Sequence, residues 1–261
     1  MATAGAHMDV MEEVLIAPPL RIRFCPGMSR LLVVSLAGVG TKPSEEPPVE
    51  FFRLAGAGGV NPVLFVSDES RSWLNAPDMA DMIVAAIEAT ARFLDAERIV
   101  LLGNSMGATM ALHLAHLTRV DRVIAFVPQV SVHPEDVPEE KRWTRFRKRI
   151  TQWTYRKVEA WPTVPSVFVL HGGTDDELAH ALRFPVEKDN VAHFILPTMD
   201  HNLARSLHKK GLLAEVVTDM MRGDRLAACD IISRAGGMLR QKFEDQRKMA
   251  KSESETLQGN A

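Results

Sequence analysis

The hydrophobic positions of the chain fall into short apolar runs that alternate with amphipathic segments. The runs hold five or six residues, mostly Val, Leu, Ile and Phe, and predict buried strands at 31–36, 62–66, 98–102, 123–127, 166–170 and 191–196. Apolar side chains at helical spacing predict helices over 77–93 and 203–216. Strands that are apolar on both faces and alternate with helices indicate an α/β fold, a mostly parallel sheet covered by helices on both faces.

The two ends of the chain depart from this pattern. Residues 14–24 alternate loosely around a Pro-Pro pair and predict a β-hairpin, while 51–54 predict a short helix. From about residue 240 onward Lys, Glu, Gln and Ser dominate, which is typical of a frayed helix or a disordered tail. We therefore predict one domain over 1–239, with an insertion at about 133–163, and a polar tail over 240–261.

The strand at 98–102 leads into the most informative stretch, Gly103-Asn104-Ser105-Met106-Gly107, which passes directly into small helix-forming residues. Glycines on both sides of the serine let strand and helix approach closely around a strained turn. Such a turn lifts the hydroxyl of Ser105 clear of the backbone at the carboxyl end of a strand. The start of the following helix offers free N–H groups and a positive dipole end to a developing anion. The stretch predicts a nucleophile elbow with Ser105 as the nucleophile.

A serine nucleophile needs a base, and the base needs a carboxylate that orients it. The strand at 166–170 runs into His171-Gly172-Gly173-Thr174-Asp175-Asp176, and the strand at 191–196 is followed by Asp200-His201-Asn202. Both loops lie at the sheet edge that carries Ser105, where ligands bind in open α/β sheets. A simpler interpretation stays open: the two aspartates cap a helix, and His201 begins one.

These motifs resemble the α/β-hydrolase superfamily over roughly residues 31–217. The resemblance implies a serine hydrolase in which His201 is the base and Asp175 the acid, with Asp176 as the alternative. Ala37-Gly38-Val39-Gly40 is similar to the family's His-Gly-x-Gly oxyanion loop, with Ala37 where His is usual. The resemblance implies that the backbone N–H groups of Val39 and Met106 form the oxyanion hole. The replaced histidine removes a side chain that often braces this loop.

The insertion at 133–163 lies where the superfamily places its cap. It opens acidic, turns basic over 141–149, and holds three of the four Trp and the only Tyr. One interpretation is a short lid whose aromatic face, with Trp143 and Trp153, contacts the substrate. The other is an amphipathic helix that packs its aromatics on the core. Arg71 and Trp73, in a loop at the same sheet edge, are further substrate-binding candidates, or are structural residues of that loop.

Composition bears on the partners, metal sites and location expected of the protein. The chain has 261 residues and a formal net charge of -2, so charge gives no basis for a nucleic-acid partner. Two cysteines are too few for a disulfide framework, and His113 and His116 have no third ligand at a metal-site spacing, so we expect no metal and no cofactor. Residues 1–7 lack the pattern of a signal peptide, and no apolar run approaches the ~20 residues of a membrane helix. We expect a cytoplasmic protein.

The predicted function is hydrolysis of an ester or thioester through an acyl-enzyme on Ser105, with a small-molecule or carrier-bound acyl group as substrate. An acyltransferase uses the same residues, with an alcohol or amine in place of water. A non-catalytic protein that uses this fold for binding is the alternative from another class. The sequence leaves the acyl group and the oligomeric state undetermined.

Overall fold

The protein is built on one nine-stranded sheet, seen in a computed structural model that describes residues 11–42 and 44–259. The strands are β1 (Glu12–Ala17), β2 (Leu20–Cys25), β3 (Leu31–Leu36), β4 (Val63–Asp68), β5 (Arg98–Asn104), β6 (Arg122–Phe126), β7 (Ser166–Gly172), β8 (Val191–Leu196) and β9 (Met238–Leu239). The helices are α1 (Phe52–Ala55), α2 (Met79–Phe93), α3 (Met106–Leu114), α4 (Thr144–Arg147), α5 (Asp175–Ala181), α6 (Leu203–Lys209), α7 (Leu213–Arg222), α8 (Arg225–Arg234) and α9 (Arg240–Gly259).

The strands lie in the order β1-β2-β4-β3-β5-β6-β7-β8-β9. The six strands from β4 to β8 in this order pair in parallel, whereas the β1–β2, β2–β4 and β8–β9 pairs are antiparallel. The predicted α/β class with a mostly parallel sheet is therefore confirmed. Because β5, β7 and β8 are parallel, the loops that follow them meet at one edge of the sheet.

Helices cover both faces of the sheet, as the doubly apolar strands predict. Side chains alternate along β3: Leu32, Val34 and Leu36 pack with α2 and α3, while Val33 packs with α1, α6, α7 and α8 on the other face. Both faces are dry cores, since the side chains that form them are buried. The sheet is thus a rigid platform from which the edge loops project.

Several elements differ from the predicted ones. The helix expected over 77–93 begins at Met79, and the one expected over 203–216 is two helices, because Gly211 adopts a left-handed conformation (φ 73°) between α6 and α7. The residues from 240 onward form α9, and its first residue, Arg240, is buried against backbone carbonyls of residues 181–185. No helix in the part of the chain that the structure describes has the length and apolarity to cross a membrane.

The insertion at 133–163 is mostly irregular and contains only the short helix α4. Its aromatic side chains pack against the core on the α2 and α3 side of the sheet, and Trp161 is fully buried there. The insertion is thus docked on the domain, and its aromatics are not carried by one long helix. Residues 1–7, for which we expected no signal peptide, lie outside the described residues.

Candidate active site

The turn between β5 and α3 has the strained geometry that the Gly-x-Ser-x-Gly pattern predicts. Ser105 adopts φ 52° and ψ -119°, a conformation that non-glycine residues rarely take, and its N–H donates to Phe126 O on β6 at 2.8 Å. A Cβ on Gly103 would lie 2.4 Å from the carbonyl carbon of Gly107, and one on Gly107 would lie 2.1 Å from Leu36 O. Neither position has room for a side chain. The two glycines therefore allow the turn to close.

The side chains of Ser105, His201 and Glu177 form a continuous hydrogen-bonded chain. Ser105 Oγ lies 3.0 Å from His201 Nε2, and His201 Nδ1 lies 2.7 Å from Glu177 Oε1. His201 comes from the loop after β8 and is partly buried, whereas Glu177 on α5 is almost completely buried. In such an arrangement the imidazole accepts the proton of the hydroxyl, and the carboxylate stabilises the imidazolium that forms.

The carboxylate that contacts His201 is Glu177, so the expected pairing of His201 with Asp175 is wrong. Asp175 is the first residue of α5 and is exposed to solvent, and the alternative, Asp176, is also exposed and accepts a hydrogen bond from Thr174 Oγ1 at 2.6 Å. Successive residues of an α-helix are rotated by about 100°, so Glu177 points to the side of α5 opposite to Asp175. That side faces the core and His201.

Glu177 is held in its charged form by two donors. Burial alone would raise the pKa of Glu177, but hydrogen bonds from His201 and Arg142, together with the charge of the His201 imidazole, lower that pKa below its ordinary value. Arg142 belongs to the insertion, and its Nη1 lies 2.9 Å from Glu177 Oε1. The buried carboxylate is therefore paired, as the cost of burying a charge requires.

Gln129, which follows β6, also contacts the nucleophile, and the sequence carried no signal for it. Its Nε2 donates to Ser105 Oγ at 3.1 Å and to Val127 O at 3.2 Å, and its backbone is fixed by Thr109 Oγ1 on α3. The preceding Val127 adopts φ 46°, a strained conformation for a β-branched residue. A fully buried amide is thus aimed at the hydroxyl of Ser105.

Trp73 supports Gln129 from behind and does not line the cleft in front of Ser105. Its Nε1 donates to Gln129 Oε1 at 2.9 Å, and its side chain is 1% exposed. Arg71 is also buried, with its guanidinium on the backbone carbonyls of Val39 and Glu69 at 3.3 and 2.6 Å. Both residues, expected to bind substrate, instead brace the walls of the site.

A cleft of about 360 Å³ opens in front of Ser105. Its walls are the loop after β3, the end of β5, the insertion and the start of α6, with lining residues that include Gly38, Val39, Asn104, Trp143, His201 and Arg205. Val39 lies on the loop that lines the cleft, and Met106, the first residue of α3, directly follows the nucleophile, so the oxyanion hole expected from their N–H groups stays a prediction. Ala37 has no side chain that could support this loop, and Arg71 supports it instead by donating from Nε to Val39 O at 3.3 Å.

The aromatic residues of the insertion divide into one that lines the cleft and others that do not. The Trp143 ring lies 5.9 Å from the His201 ring and 6.3 Å from the Trp73 ring, measured between centroids. Trp153, also expected to contact substrate, packs edge-on against His133 at 4.9 Å and does not line this cleft. Of the two proposed roles of the aromatics, core packing describes most of them, and Trp143 alone is placed to touch a substrate.

A second carboxyl group, Glu50, lies on the other side of the nucleophile and was missed in the sequence. It lines the cleft, and a Cβ placed on Gly38 would lie 3.2 Å from Glu50 Oε1 and 3.5 Å from Ser105 Cβ. Ser35 Oγ donates to Glu50 O at 2.8 Å, and Phe51 adopts a left-handed conformation (φ 56°), so the backbone here is tightly held. Burial raises the pKa of Glu50 to about 7, although hydrogen bonds from Asn104 and the Gly38 N–H oppose this effect.

The paired histidines of α3 take no part in this site. His113 is buried beside the Tyr155 ring at 5.4 Å, and burial lowers the pKa of His113 to about 4. His116 Nε2 lies 3.2 Å from Ala160 O. Within residues 11–42 and 44–259, no three His, Cys, Asp or Glu side chains come together in a metal-binding cluster.

Solved structures with the same fold include an O-acetyltransferase, a serine hydrolase and a glycosylation-associated protein complex. A capsule O-acetyltransferase of Neisseria meningitidis serogroup A matches with a TM-score of 0.56 and 11% identity, over 79% of this chain and 93% of that one. An α/β serine hydrolase without lid from Xanthomonas campestris matches with a TM-score of 0.52 and 13% identity, over 81% and 94%. The Gap123 glycosylation-associated complex from Streptococcus agalactiae matches with a TM-score of 0.60 and 14% identity, over 82% and 47%.

At these identities the structural matches show the fold alone. Among curated proteins, no sequence matches this chain. The sequence model of the α/β-hydrolase fold matches residues 72–204, which is just over half of the chain and includes the elbow, Glu177 and His201. The chain therefore belongs to the α/β-hydrolase fold family.

Proposed function

We propose that the protein is a serine hydrolase that cleaves a carboxylic ester or thioester of a small molecule or carrier through an acyl-enzyme on Ser105. The observation that carries this proposal is the hydrogen-bonded chain from Ser105 Oγ through His201 to the buried carboxylate of Glu177. A non-catalytic protein has no need of a strained turn whose serine hydroxyl lies 3.0 Å from a base. The alignment therefore favours an enzyme over a binding protein.

The residues present account for every proton and bond of the reaction. Ser105 Oγ attacks the carbonyl carbon while its proton passes to His201 Nε2, and the negative charge of Glu177 stabilises the imidazolium. The N–H groups of Val39 and Met106 receive the oxyanion. The imidazolium then protonates the departing alcohol or thiol as its bond to carbon breaks. Water repeats these steps on the acyl-enzyme and releases the carboxylic acid.

The surroundings of Ser105 favour a short acyl group. Gln129 and Trp73 are fully buried and fill the space behind the hydroxyl, so no channel for a long chain runs into the core there. The cleft in front has a volume of about 360 Å³. This is close to the smallest volumes found for small-molecule sites, about 300 Å³. An acetyl or butyryl ester fits these dimensions better than a long acyl chain.

Acyl transfer to an alcohol is the second candidate. Ser105 is only 3% exposed, and Trp143 covers His201, so access of water to the acyl-enzyme is restricted. The fold is shared with a capsule O-acetyltransferase, which supports the same candidate without deciding it. Exclusion of water is what separates transfer from hydrolysis on one set of catalytic residues.

The test is turnover of p-nitrophenyl acetate, butyrate and octanoate by the native chain and by Ser105→Ala. We expect the acetate and butyrate to be cleaved at least about tenfold faster than the octanoate, because the missing channel excludes long chains. Ser105→Ala lowers kcat by about 10⁶-fold if the residues act as one unit. Added glycerol distinguishes the two candidates, since a transferase releases acetylglycerol in place of acetate. Equal turnover by Ser105→Ala contradicts the proposal.

A further inference from the structure

The insertion reaches the catalytic residues through one arginine. Arg142 Nη1 lies 2.9 Å from Glu177 Oε1, the same oxygen that His201 Nδ1 contacts at 2.7 Å. The guanidinium and the imidazole therefore share one carboxylate oxygen. Arg142 is also only partly exposed, so solvent screens this contact weakly. A residue 35 positions away in sequence is thus part of the charge balance at the triad acid.

A buried network fixes the position of this arginine. Glu140 is 1% exposed at its side chain, and its carboxylate lies 2.6 Å from Arg142 Nη2 and 2.9 Å from His180 Nε2 on α5. The Arg142 N–H also donates to Glu140 Oε1 at 2.7 Å. Burial would raise the pKa of Glu140, but hydrogen bonds from His180 and Arg142 lower it to about 2. The guanidinium is therefore anchored from both sides, with four hydrogen bonds to carboxylate oxygens of residues 140 and 177.

The residue after Arg142 contacts the base. Trp143 lies with its ring 5.9 Å from the His201 ring, and the Arg142 guanidinium lies 5.8 Å from the Trp143 ring. Two consecutive residues of the insertion thus touch the two partners of Ser105. The insertion is attached to the base and the acid, and not only to the rim of the cleft.

We propose that Arg142, which belongs to the insertion, is a positioning residue for the proposed acyl transfer. Its positive charge keeps Glu177 ionised and thereby influences the protonation of His201. This inference rests on the function proposed above. A fixed positive charge on Glu177 Oε1 keeps the carboxylate ionised and aimed at His201. Removing that charge would leave the imidazolium as the remaining cation on Glu177 Oε1, and this change is expected to favour protonation of His201. Without the Arg142 guanidinium, the buried carboxylate would keep His201 as its one side-chain donor among the described residues.

Other titratable groups also lie close to Glu177 and His201. From α5, Asp176 Oδ2 lies 2.9 Å from Arg142 Nη1, and His180 faces Glu140. From β7, His171 is fully buried behind Glu177, and burial holds the pKa of His171 well below its ordinary value. From the insertion, Glu140 is the remaining carboxylate. Since His171 is neutral and Glu140 is paired, Arg142 is the fixed cation that acts directly on Glu177.

The experiment compares Arg142→Met with Arg145→Met, a change of the same type at an exposed arginine on α4 that makes no ion pair or hydrogen bond to the rest of the described chain. The pH dependence of kcat/KM is measured on p-nitrophenyl acetate. In Arg142→Met we expect the acidic limb to move up by about one pH unit, with about a tenfold lower rate at pH 6. Arg145→Met keeps the native profile. A purely structural role of Arg142 would lower the rate at every pH without moving the limb, and this result would overturn the proposal.

Two further measurements keep the test independent of folding and of turnover. Arg142→Lys retains the charge without the planar fork, so we expect a native acidic limb with a reduced plateau. An NMR titration of the His201 imidazole, without substrate, is expected to show its midpoint displaced upward in Arg142→Met and not in Arg145→Met. If the native chain fails to turn over esters while the midpoint still moves, the proposed function fails and the role of Arg142 stands. An unmoved midpoint contradicts the role of Arg142 whatever the turnover.

Discussion

Two carboxyl groups flank Ser105, and the protein treats them in opposite ways. Glu177 is buried with the His201 imidazole and the Arg142 guanidinium on one oxygen, and these donors lower its pKa. Glu50 is half-buried and forms no ion pair within the described residues, its Oε2 has no hydrogen-bond partner there, and burial raises its pKa to about 7. The difference shows that burial alone does not decide the charge of a carboxyl group: the partner does.

This contrast has a consequence for the reaction. In the proposed reaction, a charged Glu177 stabilises the imidazolium that forms when Ser105 attacks, so the pairing of Glu177 serves this step directly. A charged Glu50 would place a negative group beside the loop that receives the oxyanion, next to Gly38. Below pH 7 Glu50 is mostly protonated, which avoids that repulsion, while its carboxyl still connects the Gly38 loop to Asn104 of the elbow.

The largest expected effect is on catalysis, at the paired carboxyl. Glu177→Gln keeps the size of the side chain and removes the charge that stabilises the imidazolium, so we expect kcat for p-nitrophenyl acetate to fall by about 10⁴-fold. Glu50→Gln, the matched change at the other carboxyl, is expected to cost less than about tenfold at pH 6, because Glu50 is already neutral there. Equal losses in the two variants would remove the distinction between them.

The next effect is on stability, at the unpaired carboxyl. The pKa of Glu50 is about 7 in the folded protein against 4.5 when unperturbed, so folding is penalised as pH rises from 4.5 to 7. Glu50→Gln removes this penalty. We expect it to raise the free energy of unfolding by about 3 kcal/mol at pH 8 and by almost nothing at pH 4, measured by urea unfolding.

Glu177→Gln provides the opposite control in the same experiment. Its folded pKa is lowered, so the charge contributes stability above pH 4.5 that is lost as pH falls through the folded value. We expect the variant to be less stable than the native chain at pH 8 and to approach it in acid. A stability gain at pH 8 in both variants would contradict the account of the two carboxyls.

The smallest effect is expected at the aspartate that the sequence favoured. Asp175 is exposed at the start of α5 and is turned away from His201. Asp175→Asn should leave kcat within about twofold of native and the free energy of unfolding within about 0.5 kcal/mol. Both are measured beside Glu177→Gln in the same assays. A large loss of turnover in Asp175→Asn would mean that the acid was assigned to the wrong residue of α5.

The features of this site that depend on neighbouring residues in the sequence were predictable, and those that depend on distant contacts were not. The sheet, the elbow and His201 follow from apolar runs and from motifs within a few residues, and the structure has them where the patterns indicate. The acid depends on the rotation of α5, since Asp175, Asp176 and Glu177 are consecutive and only one of them faces the core. A shift of one residue along α5 therefore separates Glu177, which contacts His201, from the solvent-exposed Asp176.

Contacts between distant segments were beyond any local pattern. Gln129 reaches Ser105 because Val127 adopts a strained conformation, and Arg142 reaches Glu177 because the insertion folds back over α5. Glu50 arrives from a Pro- and Glu-rich loop that carries no periodic signal. Gly211 separates two helices that share one apolar spacing. The contacts of Gln129, Arg142 and Glu50 join residues far apart in the chain, whereas the break at Gly211 is a local change of backbone conformation.

The most direct test of the central claim is the reaction of the protein with a fluorophosphonate probe, located by tandem mass spectrometry. We predict one adduct in the native chain, located on Ser105. It should be absent in Ser105→Ala, and in His201→Ala it should form at least about 10³-fold more slowly. Glu177→Gln should slow the labelling far more than Asp175→Asn does. A folded native protein that gains no adduct, or gains it on another serine, would contradict the assignment of Ser105 as a nucleophile activated by His201.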